Sequence, residues 1–280
     1  LRELAPPSLR GPALAAAHFN LGQVAQDEGD FLTAAQAYKR AVDLDGDYTD
    51  AMVNLGLTLR DLEETALAEE CFWHILQGQP GQPMAGVNMA KLQLERDDPA
   101  TAEATCRSVL EYHHEHPEAL LNLGVALQAQ NRVEEAILTF KEFTTLEPEN
   151  PDGPFNLAIA ELAVGNWKDG WRHYETRWQT DNSLFAPRHK GILRWNGENL
   201  TGKTLLLFAE QGFGDTLQFC RYVPHLANAG ANVVIECQPG LRALLQTLPG
   251  VSQVFEPGEP TPPADFTLPM MSAQLAFGTT

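Results

Sequence analysis

Three stretches of this 280-residue sequence carry residue types that could do chemistry. Gly197-Glu198-Asn199-Leu200-Thr201-Gly202-Lys203-Thr204 satisfies the phosphate-loop spacing G-x-x-x-x-G-K-[ST], in which backbone N–H groups and a lysine cradle phosphate. Such a loop must follow a strand and open a helix. Here it precedes the apolar run Leu205-Leu206-Leu207-Phe208, which reads as a strand, so no nucleotide site is expected. His113, His114 and His116 supply three imidazoles within four positions. They fall in a turn, without cysteines or carboxylates at ligand spacing, and no metal is expected. The third stretch is Glu210-Gln211-Gly212-Phe213-Gly214-Asp215, a glycine-containing turn after the apolar run. Its aspartate could serve as a general base or merely cap the following helix. Leu217 stands where a dinucleotide fingerprint needs its third glycine.

A fourth pattern is one of recognition rather than reaction. Asn20, Asn54, Asn88, Asn122 and Asn156 recur at a constant interval, each followed by Leu or Met and then Gly or Ala. Asparagine is a mediocre helix former, so five copies suggest a use for the carboxamide. A ladder of amides offers a donor and an acceptor at each rung, which is what holds an extended peptide by its backbone. The alternative is that the amides bond neighbouring repeats. Two helical turns further on stand Asp27, Asp61 and Glu95, then Ala129 and Ala163. The acidic rungs are either a solvated face or a preference for basic ligand segments.

The interval is 34 residues, and no insertion breaks it from residue 15 to 184. With units starting at residues 15, 49, 83, 117 and 151, position 8 is Gly22, Gly56, Ala90, Gly124 and Ala158. Position 20 is Ala34, Ala68, Ala102, Ala136 and Gly170, and position 24 is Tyr38, Phe72, Cys106, Phe140 and Tyr174. Small residues let two antiparallel helices approach, and the larger residue at position 24 plugs the gap. Gly29, Asn131 and Gly165 suit left-handed helix ends, and Pro80 and Pro148 terminate second helices. With these residues the unit resembles the tetratricopeptide repeat, a helix–turn–helix that stacks into a solenoid. In that family position 6 points into the concave groove, and the O-GlcNAc transferase array carries a similar asparagine ladder. The resemblance implies a protein or extended peptide as partner, with Asn20, Asn54, Asn88, Asn122 and Asn156 and the acidic Asp27, Asp61 and Glu95 as binding residues. The fifth copy departs from the pattern at Arg177 and reads as a junction.

After residue 203 strands alternate with helices. Strands are expected at Thr204 to Phe208, Val233 to Ile235 and Val251 to Phe255, with helices from Thr216 to Asn228 and Leu241 to Leu248. This implies parallel pairing in a doubly wound, Rossmann-like sheet. The run from Ala209 to Phe219, with Arg221-Tyr222, Trp171, Tyr174, Arg177-Trp178 and Trp195-Asn196-Gly197, resembles bacterial glycosyltransferase-like domains joined to tetratricopeptide repeats. It is also similar to the opening of heptosyltransferases of the GT-B architecture. That resemblance implies Asp215 as a catalytic base and Glu210, Gln211, Gly212 and Gly214 as an acceptor-site loop. Seventy-seven residues after Lys203 make only part of one Rossmann half. No cofactor is therefore expected in this chain, a nucleotide sugar being expected only with a completing C-terminal half.

The expected organisation is a lead-in at 1–14, five repeats at 15–180, a linker at 181–203 and a partial Rossmann-like domain at 204–280. Trp167, Trp171, Tyr174 and Trp178 form one aromatic stripe on the last repeat helix, expected to enter an interface with the following domain. The net charge of −18 argues against nucleic acid as partner and favours basic ones. No apolar run approaches a membrane span, and Cys71, Cys106, Cys220 and Cys237 show no CxxC spacing. A reduced, cytoplasmic setting follows. A chain that begins with Leu1 reads as a piece of something longer.

Overall fold

The computed structural model describes residues 7–180 and 188–278. The start of the lead-in and the first part of the linker, with Pro187, lie outside the described residues. The chain divides into two compact units, Leu1–Pro148 and Glu149–Thr280.

The first unit is four helical hairpins in series: α1 (Pro7–Asp27) with α2 (Phe31–Leu44), α3 (Thr49–Asp61) with α4 (Thr65–Gly78), α5 (Pro83–Glu95) with α6 (Pro99–Tyr112), and α7 (Pro117–Ala129) with α8 (Val133–Leu146). What sets their spacing is a size match inside each hairpin. A Cβ on Gly22, Gly56 or Gly124 would fall 2.6, 2.7 or 2.3 Å from the ring of Tyr38, Phe72 or Phe140. In the third hairpin both positions change together, to Ala90 and the smaller Cys106, and both are buried. Ala34, Ala68, Ala102 and Ala136 at position 20 are fully buried. Successive first helices also touch, α3 with α5 and α5 with α7.

Each hairpin closes through a residue in the left-handed region, and the five recur in register: Gly29, Glu63, Asp97, Asn131 and Gly165. Three of them were readable from residue type. Glu63 (φ 63°) and Asp97 (φ 60°) were not, because an L side chain there crowds its own carbonyl. The first turns of second helices are closed by side chains, Asp30 accepting from Thr33 N–H and Asp98 from Thr101 N–H. Across the third and fourth hairpins, Arg132 donates to both carboxylate oxygens of Glu103 at 2.7 Å. Burial raises the Glu103 pKa, but donors from Gln130, Arg132 and Arg107 outweigh it and bring the carboxyl down to about 2.

The second unit contains the fifth hairpin and a sheet. α9 (Asp152–Ala163) pairs with α10 (Trp167–Tyr174), which tightens into a 3-10 turn at Glu175–Trp178. The strands are β1 (Leu193–Arg194), β2 (Thr204–Phe208), β3 (Asn232–Glu236), β4 (Val251–Phe255) and β5 (Phe266–Pro269). They form one sheet in the order β1-β5-β2-β3-β4, every pairing parallel. Leu205, Leu207, Val233 and Ile235 enter the core on one face, and Leu206 and Val234 pack with Phe255 on the other. Continuous apolar strands are what a sheet covered on both faces requires.

The expected strands at β2, β3 and β4 are present. The expected helix from Thr216 begins earlier, as α11 (Phe213–Phe219), so Phe213–Asp215 form its first turn rather than a loop. A 3-10 turn then leads to α12 (Val223–Asn228), with Pro224 in its first turn, where no backbone donor is needed. β1 lies within the stretch expected as linker and β5 beyond the last expected strand. Two residues and a segment ending in Pro269 give no strand-like run. Short helices α13 (Arg242–Leu245) and α14 (Ala273–Ala276) complete the unit.

The strained turn residue gives a direct test. Replacing Glu63 by Gly relieves a left-handed L-residue, so stability in urea should rise by about 0.5–1 kcal/mol. An unchanged or lower midpoint would show that the turn carries no strain.

Candidate functional site

The amide ladder is not uniform. Asn20 is exposed and Asn54 half-buried, whereas Asn88 and Asn122 are each 6% exposed. Asn88 Nδ2 donates to the Met84 carbonyl at 2.8 Å, and its Oδ1 accepts from Arg60 Nη1 at 2.6 Å. Asn122 Nδ2 donates back to the Val87 carbonyl of the preceding repeat at 3.2 Å. The expectation that packing has no use for the amide therefore fails at these two rungs. They bond within and between repeats because side chains of the adjoining helices close over them. Asn156, in the second unit, donates to the Asp152 carbonyl at 2.8 Å.

Asp27, Asp61 and Glu95 are exposed, one on each of α1, α3 and α5. The face bearing the amides is thus acidic along three successive first helices. Arg60 shows what such a rung can take. Its guanidinium reaches the Asn88 oxygen while a second nitrogen stands 3.7 Å from Asp61.

The histidine cluster behaves as expected of a turn. His116 N-caps α7, its Nδ1 accepting from Ala119 N–H at 3.4 Å, and no His/Cys/Asp/Glu group able to hold a metal occurs among the described residues. All four cysteines are free. Burial pushes the thiol of Cys71 up to about 11 and that of Cys106 to about 12, so neither offers a thiolate near neutral pH. Lys203, the lysine of the phosphate-loop pattern, immediately precedes β2 and pairs with Asp265 at 3.0 Å. A strand N-terminus presents no bundle of N–H groups to a phosphate, and this agrees with the sequence reading.

In the second unit the loop after β2 stands beyond the carboxyl end of the central strand. The chain runs from β2 outward through β3 to β4 and returns on the other side as β5, so the switch point lies between β2 and β5. Ligands of open parallel sheets settle at such a point. Here it is filled by the protein itself. Arg177, fully buried, spends all five donors: Nε and Nη2 on Glu210 Oε1 (3.0 and 2.8 Å), Nη2 also on Ser272 Oγ (2.9 Å), and Nη1 on the Tyr174 carbonyl (3.0 Å) and Glu175 (2.9 Å). Its Cζ lies 4.7 Å from the centroid of the Tyr174 ring and 4.6 Å from that of Trp178. Glu210 also accepts from Met271 N–H at 2.9 Å. Burial raises the Glu210 pKa against the pull of Arg177, whereas Glu175, also opposed by burial, is held low by Arg177 and Arg194.

Gln211, Gly212 and Asp215 are engaged as well. Gln211 Nε2 donates to Tyr174 Oη at 2.5 Å, and Gln238 holds the Gln211 and Gly212 carbonyls. Asp215 is half-buried and accepts from Gly212 N–H at 3.1 Å, the geometry of a helix cap. Gly214 is exposed, and no wall stands within 4 Å of where its Cβ would be. Beyond the ends of β1 and β5 opens a cavity of 470 Å³ with Glu175, Arg194, Trp195, Asn196 and Ser272 in its wall. Of the aromatic stripe, Trp171 meets Phe219 edge-on at 5.7 Å and Tyr174 enters the core, while Trp167 stays largely exposed. The residue whose role sequence reading passed over is Arg177, noted as a departure from the repeat and within a family resemblance but not as a site residue. A charged side chain at a small or apolar repeat position was the available signal.

The family model described as tetratricopeptide repeat matches residues 12–83 and 87–154, together half of the chain. The chain belongs to the tetratricopeptide repeat family. It is 25% identical to Protein FlbA of Caulobacter vibrioides, over 72% of this chain and 40% of that protein. To Protein O-mannosyl-transferase Tmtc3 of Drosophila melanogaster it is 29% identical, over 47% of this chain and 14% of the relative. The chain thus spans less than half the length of either. Among solved structures, MamA residues 41 to the end from Desulfovibrio magneticus RS-1 matches with TM-score 0.54 at 19% identity, covering 60% of this chain and 97% of that one. YrrB, described as having an unusual peptide-binding site, matches with TM-score 0.51 at 17% identity, over 64% and 92%. These likenesses show the solenoid fold. No helix among the described residues is long and apolar enough to cross a membrane.

The buried pair at the switch point can be weighed by mutation. Arg177→Met leaves Glu210 buried without its partner and should cost about 3–5 kcal/mol. Adding Glu210→Gln should recover much of that loss. Urea unfolding followed by tryptophan fluorescence of a Trp73→Phe background reads this unit selectively, since Trp167, Trp171, Trp178 and Trp195 all lie in it and Trp73 lies in the first unit. A single-mutant cost below about 1 kcal/mol, the value of a solvated surface pair, would remove the buried pair from its central role.

Proposed function

We propose that the chain is a peptide-holding scaffold whose first three repeats take an extended, basic protein segment along their first helices. The observation that carries this is the row of exposed carboxylates at Asp27, Asp61 and Glu95, two turns from the amide position on each helix. The exposed Asn20 and the half-buried Asn54 supply backbone contacts, and Asn88 and Asn122 serve chiefly to hold the array together. Arg60 lying between Asn88 and Asp61 supports the match of these groups to a guanidinium. The net charge of −18 adds long-range attraction for basic ligands. YrrB, described as a peptide binder, shares the fold.

Fluorescence anisotropy with Lys/Arg-rich and Glu-rich extended peptides tests this reading. At about 0.5 kcal/mol for each exposed charge pair, Asp27→Asn, Asp61→Asn and Glu95→Gln together should weaken basic-peptide binding about tenfold and flatten its salt dependence. Asn54→Ala should lower affinity with little loss of stability, and Asn122→Ala should lower stability. Equal binding of both peptides would sink the proposal.

A second reading adds sugar transfer to a protein held in this way. It is supported by the strand order with its switch point at the loop Glu210 to Asp215, by the cavity with Glu175, Arg194 and Ser272 in its wall, and by the likeness to Tmtc3. In it, residues 204–280 form the N-terminal half of a GT-B-like domain, Asp215 is the base and a completing half binds the nucleotide sugar. The competing, non-enzymatic form makes the sheet a structural cap, and the internal engagement of Glu210, Gln211 and Asp215 suits that form. A protein carrying the completing half should transfer sugar to a bound peptide and lose that activity, but not peptide binding, in Asp215→Asn. Undiminished transfer in the variant would leave Asp215 as a cap only.

A further inference from the structure

Position 12 of the repeat sets one copy apart from the rest. It is Gln26, Arg60, Leu94, Gln128 and Leu162, so a single first helix carries a cation there. Gln26 bonds within its own hairpin, accepting from Tyr38 Oη at 2.8 Å. Arg60 instead reaches across to the next repeat. Its Nη1 donates to Asn88 Oδ1 at 2.6 Å, and its Nη2 stands 3.7 Å from Asp61. One guanidinium thus spans an amide of the ladder and a carboxylate of the acidic row.

Joining the second and third hairpins does not depend on this contact. Arg96 and Glu69 already clasp them, as Arg132 and Glu103 clasp the next two. Arg60 is also loosely held. Its side chain is 33% exposed, and it makes a single close hydrogen bond. An exposed ion pair at such a separation contributes little, so a better-placed cation can take its place. Asn88 has already spent Nδ2 on the Met84 carbonyl at 2.8 Å. Its oxygen is what it can offer a ligand, and Arg60 sits on that oxygen.

We propose that Arg60 is an internal stand-in for the ligand, occupying the rung of Asp61 and Asn88 until an arginine of the bound segment displaces it. This rests on the reading of the amide face as a peptide site, and it names the side chain that the middle rung selects. Two nitrogens of one planar guanidinium face Asn88 and Asp61 together, whereas a lysine ammonium is a single point of charge. The rung therefore prefers arginine to lysine. Arg60 lowers the apparent affinity by competing from within the chain, because only the fraction of molecules with the rung open binds.

Fluorescence anisotropy of the full chain with two extended peptides, alike except for arginine or lysine at every basic position, provides the test. Arg60→Met should tighten binding of the arginine peptide about two- to fivefold, with a smaller gain for the lysine peptide. Arg60→Gln, which keeps a polar side chain at the surface, should act in the same direction, so the result does not hang on one replacement. Arg40→Met removes an equal charge from α2, where Arg40 is exposed, and should gain much less. Circular dichroism confirms that each variant is folded. An equal gain in Arg40→Met reduces the effect to net charge and overturns the proposal. Unchanged or weaker binding of the arginine peptide in both Arg60 variants overturns it too, making Arg60 a strut while the peptide site itself stands. A wild-type chain with no preference for basic over Glu-rich peptides removes the site, and the role of Arg60 with it.

Discussion

The close approach of two helices within each hairpin is the constraint on which the array rests. At Gly22, Gly56 and Gly124 the backbone of one helix lies against an aromatic ring of the other, with no room for a methyl group. This contact sets the separation of the hairpin, and the separation sets how the next first helix docks. Burial of the alanines at position 20 and of Leu55, Met89 and Leu123 at position 7 follows from it. Contacts of this kind are additive along the chain, so the stability of such an array is close to a sum over neighbours.

The fifth hairpin answers to a different master. α10 is shorter than the other second helices and ends in a 3-10 turn, and from that turn Arg177 reaches the loops after β2 and β5. A buried guanidinium is tolerable only when every donor is met and a carboxylate faces it. Glu210, Glu175, Ser272 and the Tyr174 carbonyl meet those conditions. Hairpin and sheet thereby become one unit, at the place where a sheet of this order would otherwise receive a ligand. Function and cohesion compete for the same switch point, and in this chain cohesion occupies it.

In the repeats the two demands are separated along the ladder. The same asparagine is a surface group at Asn20 and an internal strut at Asn88 and Asn122. Acidic residues accompany the ladder only over α1, α3 and α5.

By itself the sequence determined the repeat, its period, the partners inside each hairpin, three of the five strands and the failure of the phosphate-loop match. All of these are local: a period of 34, a glycine facing an aromatic 16 positions on, an apolar run after a lysine rather than before a helix. Tertiary structure alone decided the rest. Arg177 and Glu210 stand 33 residues apart and Arg177 and Ser272 stand 95 apart, and no periodicity announces such a meeting. The split of the asparagines into exposed and buried rungs had no local signal either. Five identical residues in one repeat position carry identical sequence information, while burial is conferred by whatever packs over each of them.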